Sequence, residues 1–147
     1  MKRLAALLAA AGLAAACGYV SFNRGLSPDE TVLQQEIRAL VNEAKGTFAA
    51  SNAQALTGLF DASIVHPMSH DQISAWADDF FRQNRTATFH VEGLTIDELG
   101  YLRAVVTLAF QVETTQAQGS LSGAVRVVLV KRRNHWYVSS WEKAQSK

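Results

Sequence analysis

At Arg85 the spacing of apolar residues changes from a helical period to a period of two, and this one switch restricts the chain to helices first and strands afterwards. Upstream, Leu33, Ile37, Leu40, Val41, Ala44 and Phe48 recur at helical spacing, opposite Glu36, Arg38, Asn42, Glu43 and Lys45. Ser27-Pro28-Asp29-Glu30 opens that helix: Ser27 caps, Pro28 suits the first helical position, and Glu30 can reach back to complete a capping box. Ser51-Asn52-Ala53-Gln54 repeats the pattern before a short helix with Leu56, Leu59 and Phe60 on its apolar side, closed by Asp61-Ala62-Ser63. Ser69-His70-Asp71-Gln72 opens a third helix, whose buried side is Ile73, Trp76, Ala77, Phe80 and Phe81. Between these two, Ile64-Val65-His66-Pro67 is extended, because a proline biases the residue before it away from helix.

Downstream, Ala87, Phe89, Val91 and Gly93 alternate with Thr86, Thr88, His90 and Glu92, and a turn follows around Asp97 to Gly100. Ala104, Val106, Leu108, Phe110 and Val112 then form one row of a longer strand, and Thr115 to Gly119 reads as the next turn. Leu121 to Lys131 is a third strand, apolar on both rows over Val125 to Val130, which predicts cover on both faces. Lys131-Arg132-Arg133-Asn134 is a turn, and Trp136 to Trp141 returns as the last strand of a hairpin. The expected fold class is α+β, with three N-terminal helices packed on a curved four-stranded antiparallel sheet.

Ahead of this domain the chain carries a different signal. Lys2 and Arg3 form a basic pair, Leu4 to Leu13 is an apolar run, and Ala14-Ala15-Ala16 supplies the small residues that a signal peptidase needs. Cys17, the only cysteine, follows directly, and LAAAC resembles the lipobox of bacterial lipoproteins, although Ala14 stands where leucine is usual. The resemblance implies a signal peptide over 1–17, a lipid on Cys17, a tether over 18–27 and a domain over 28–147. In a second reading Ala14-x-Ala16 is an ordinary secretory cleavage site; in a third the tract runs on through Phe22 as an uncleaved inner-membrane anchor. All three place the folded part outside the cytoplasm; the lipoprotein reading puts it in the bacterial cell envelope, lipid-anchored and facing the periplasm, and Gly18 after the cysteine leans towards the outer membrane.

Composition is informative once the leader is set aside. Without Lys2 and Arg3, the 14 basic residues fall to 12 against 13 acidic, a formal net of −1, so nucleic acid is not an expected partner. With Cys17 acylated no thiol is left, and the domain must be held by packing rather than disulfides.

The element order resembles the nuclear transport factor 2-like superfamily, the cone-shaped fold shared by ketosteroid isomerase and polyketide cyclases. The likeness covers about residues 30 to 142. It rests on Asn52-Ala53-Gln54-Ala55-Leu56 with Leu59-Phe60 and Ile64-Val65-His66-Pro67, and on VVLVKRRNHW over Val127 to Trp136. In ketosteroid isomerase-like members the residue before that proline is a carboxylate general base, and the matching position here is His66, a residue type able to move protons near neutral pH. The tyrosine and acid that stabilise the enolate in those enzymes have no counterpart. The first-helix position holds Thr47 and Phe48, and the stretches Arg103 to Val112 and Gly119 to Val130 contain neither Asp nor Tyr.

No catalytic residue is therefore assigned, with His66 as the alternative. Trp76, Phe80, Phe89 and Phe110, with His66, are the candidate pocket. His66 and His70 are four apart, but Pro67 interrupts any helix between them, so no metal site is expected. Lys131-Arg132-Arg133 reads as a solvated turn that could meet phosphates or a membrane surface. No G-x-S-x-G, phosphate loop, dinucleotide fingerprint or paired-cysteine motif is present, and no cofactor is expected. The expectation is a non-catalytic envelope lipoprotein, held to the membrane through Cys17 and binding a protein partner or hydrophobic small molecule, as an accessory of an envelope assembly. The alternative is a small isomerase, cyclase or dehydratase that uses His66.

Overall fold

The computed structural model describes residues 27–114 and 121–145. The leader, Cys17, the tether up to residue 26 and the turn expected over Thr115 to Gly119 lie outside the described residues. Three helices, α1 (Pro28–Ala49), α2 (Ala53–Thr57) and α3 (His70–Gln83), precede four strands: β1 (Ala87–Leu99), β2 (Arg103–Thr114), β3 (Leu121–Arg132) and β4 (His135–Lys143). The strands pair antiparallel in the order β1-β2-β3-β4, a meander with the helices on its inner face.

Two helix starts follow the expected chemistry. The Ser27 hydroxyl accepts from the Glu30 N–H while the Glu30 carboxylate accepts from the Ser27 N–H, and Ser69 and Gln72 do the same for α3. The box expected at Ser51 does not form. Asn52 caps α2 through Ala55, while Ser51 sits at φ 50° and turns its hydroxyl to the Arg85 carbonyl. Helix α2 ends at Thr57 with Gly58 as its cap, before Asp61.

On α1 the whole expected apolar row is buried, from Leu33 to Phe48. The inward row of β2, Ala104 to Val112, is likewise buried. Strand β1 departs from simple alternation. Irregularities between Val91 and Gly93 and between Ile96 and Glu98 shift its register, so Leu94 and Ile96 face the core where alternation points to Gly93 and Thr95. The cover expected on both faces of β3 is unequal: Val125, Val127 and Leu129 are buried, whereas Val128 and Val130 on the outer face are half-buried.

Gly123 pairs with Phe110 across β2 and β3, and a Cβ there would stand 3.1 Å from the ring. The missing side chain makes room for Phe110 to stack on Phe89, with centroids 5.8 Å apart. At the far end, β3 and β4 are joined by the two residues Arg133 and Asn134, both at positive φ (50° and 66°), as the right-handed twist of a hairpin requires.

Candidate functional site

The inner face of the sheet is the place to look for a pocket, and aromatic side chains occupy it. Phe48, from the last turn of α1, has its ring centroid 6.0 Å from Phe80, 5.6 Å from Phe81 and 5.4 Å from Phe89. Phe89 stacks on Phe110, and Trp76 stacks on Phe80 at 5.1 Å. Phe80, Phe89 and Phe110 are buried, and Trp76 is half-buried at the margin. These residues are packed core. A depression of about 390 Å³ opens beside them, lined by Lys45, Ala49, Thr86, Ala87, Thr88, Phe89 and His90.

The buried polar side chains among the described residues are Thr47, Thr57 and Asp61, and each is engaged. The hydroxyls of Thr47 and Thr57 donate to the carbonyls of Ala44 and Ala53 within their own helices. Asp61 accepts from the Ser63 N–H at 2.8 Å, the Ser63 hydroxyl at 2.6 Å and the Arg132 guanidinium. Burial pushes the Asp61 carboxyl up, but those hydrogen bonds and the Arg132 charge outweigh it and hold the carboxyl below its ordinary 3.8.

His66 is elsewhere. A parallel bridge joins Phe60 to Val138: the Asp61 N–H donates to the Val138 carbonyl, and the Val138 N–H to the Leu59 carbonyl. The chain is thereby fastened along the free edge of β4. His66, exposed and followed by a cis peptide to Pro67, lines a depression of about 210 Å³ with Arg126, Val128, Ser140, Trp141 and Glu142. Arg126 and Val128 belong to the outer row of β3, so this depression opens on the outer side of the sheet. The expected grouping of His66 with Trp76, Phe80, Phe89 and Phe110 thus divides, with the aromatics in the core and the histidine across the sheet edge from them. The indole N–H of Trp141 is buried and finds no acceptor among the described residues, while its ring meets Phe60 edge-on at 5.5 Å. No three His, Cys, Asp or Glu side chains among the described residues gather as a metal site.

The basic run at the β3–β4 turn is only partly solvated. Lys131 folds inward, its ammonium 2.7 and 2.9 Å from the two Glu36 oxygens and 5.8 Å over the Trp136 ring, while the Trp136 N–H donates to Glu36 at 2.9 Å. The Lys131 hydrogen bond is the strongest influence on Glu36; burial opposes it, the indole N–H reinforces it, and the carboxyl lies below its ordinary 4.5. Arg132 reaches Asp61, and Arg133 has no ion pair among the described residues. Sequence reasoning missed both carboxylates. Asp61 carried a local signal, a serine two residues on in the Asx-turn pattern; Glu36 carried none.

No family model matches the chain, and no curated protein matches it. Solved structures do. A point variant of Rv3472, a protein of unknown function from Mycobacterium tuberculosis, superposes with a TM-score of 0.67 at 17% identity, covering 80% of this chain and 78% of that one. A Novosphingobium aromaticivorans protein provisionally named a scytalone dehydratase gives 0.66 at 13% identity, over 82% and 94%. An NTF2-like protein with a cystatin-like fold from the same organism gives 0.62 at 17% identity, over 78% and 82%. At such identities the likeness concerns the fold alone, and the fold is the nuclear transport factor 2-like cone.

Proposed function

We propose that the protein is a non-catalytic envelope lipoprotein, anchored through Cys17, whose cone-shaped domain serves as a binding module for another envelope protein. The observation that carries this reading is the aromatic packing of the cone's interior among the described residues. Phe48, Phe81, Phe89 and Phe110 form one run of ring contacts on the inner face of the sheet, and the buried Thr47 and Asp61 side chains are spent on internal hydrogen bonds. A general base needs a reacting atom within hydrogen-bond reach, and His66 faces the outer side of the sheet instead. The same packing favours a protein surface over an enclosed hydrophobic ligand as the thing recognised.

Labelled palmitate should enter the wild-type chain, globomycin should leave an unprocessed precursor, and affinity capture from membranes should recover a partner through the folded domain. Absence of label from the wild-type chain would refute the lipid anchor. For the enzymatic alternative the decisive result is cellular: His66→Ala should leave the phenotype of the wild-type strain intact, whereas loss of that phenotype with an unchanged fold would restore His66 as a functional group.

A further inference from the structure

Three segments far apart in sequence meet at one end of the cone. The β1–β2 tip places Tyr101 and Leu102 in solvent, 66% and 71% exposed, two of the largest apolar exposures in the described residues. The Leu102 carbonyl accepts from the Lys131 N–H at 2.9 Å, which sets the Arg133-Asn134 turn beside this tip. The Tyr101 hydroxyl donates to Asp29 at 3.0 Å, which brings in the start of α1, and Ser27, Asp29, Glu30 and Tyr101 share one shallow depression. The chain enters the domain at this same end, and from Cys17 to Ser27 it can reach at most about 35 Å.

We propose that this end docks on an anionic bilayer surface, with Tyr101 and Leu102 entering the headgroup boundary and Arg133 meeting lipid phosphates. The proposal rests on the membrane-tethered reading above and adds an orientation to it. A tyrosine followed by a leucine at an exposed tip matches the chemistry of that boundary, where a ring with a polar edge sits beside acyl chain. Arg133 is the cation that meets the phosphates, because Lys131 and Arg132 are paired with Glu36 and Asp61; Asp29 and Glu30 lie at the same end. Arg133 also occupies a left-handed position, φ 50°, where asparagine or glycine is the ordinary choice. A bulky cation kept in a conformation that costs it energy points to use of the cation rather than of the turn.

The test uses the full chain carrying Cys17→Ser, held on vesicles by its leader, with Leu102→Cys as the one thiol for an environment-sensitive dye. On vesicles of phosphatidylethanolamine with phosphatidylglycerol the emission should shift to the blue and be quenched by shallow spin-labelled lipid, and a dye at Thr88→Cys should show neither effect. Arg133→Asn, which suits the turn, should lower the ratio of docked to undocked protein about fivefold on those vesicles and leave it unchanged on phosphatidylcholine. A dye at 102 as exposed as one at 88 overturns the orientation, even where palmitate labels the wild-type chain. Palmitate failing to label the wild type while the dye at 102 is buried overturns the lipoprotein reading and leaves the docking end standing.

Discussion

Phe48→Ala is expected to remove about 3–5 kcal/mol of folding stability, the range for an aromatic ring deleted from a packed core. Phe48 is fully buried and is the shared neighbour of Phe80 and Phe81 on α3 and Phe89 on β1, so its ring joins both long helices to the sheet. Three edge or tilted ring contacts lose their partner at once, and the surrounding β1 and β2 backbone cannot collapse into the gap without breaking register. A domain of this size holds about 5–15 kcal/mol in all, so the variant stands near the limit of folding. Phe48→Leu keeps most of the volume and should cost under about 1.5 kcal/mol. Urea titration of both variants measures this as a change of midpoint at constant slope. A loss below about 1 kcal/mol for Phe48→Ala would mean that the cone has slack around this ring, and the reading of these rings as packed core would fail.

How far the sequence could be read follows the range of the forces involved. Helix starts at Ser27 and Ser69 are set by residues three positions apart, and the inward row of β2 by plain alternation, so each is visible in a short window. Where two local signals compete the window fails: Ser51 and Asn52 are adjacent capping residue types, and Asn52 takes the Ala55 N–H while Ser51 turns to the distant Arg85 carbonyl. Strand β1 carries Gly93 and an irregular register, and a single extra residue moves Leu94 and Ile96 to the face that alternation denies them. The contacts that distinguish the site are longer in range still. Glu36 meets Lys131 across 95 residues and Asp61 meets Arg132 across 71, and neither pairing leaves a periodic trace. Resemblance of its loop groups His66 with the candidate pocket; the bridge of Phe60 to Val138 decides its actual side.

The Asp61–Arg132 pair should respond unequally to loss of its two members. Asp61 is 4% exposed and Arg132 is 61% exposed along its side chain. Removing Asp61 leaves a cation already in water; removing Arg132 leaves a buried carboxylate with only the two Ser63 donors. Arg132→Ala should therefore cost about 1–3 kcal/mol near neutral pH, more than Asp61→Asn, which keeps an acceptor for Ser63. The pH dependence separates this from simple loss of packing by the arginine stem. In the wild type the folded Asp61 carboxyl lies below its ordinary 3.8, so its contribution is present above that value and is lost as pH falls through the depressed folded one. Without Arg132 the opposing push of burial is less well offset, the folded value rises, and protonation takes less stability away at this site. The gap between wild type and Arg132→Ala should then be wider near pH 7 than in acid below the ordinary 3.8, where the wild-type contribution is being lost. Glu36, held below 4.5 by Lys131, loses its own contribution on acidification in both proteins and cancels from the difference. Denaturation of the pair at both pH values measures the effect, and a gap of equal size at each would assign the cost to packing by the Arg132 stem rather than to the buried charge.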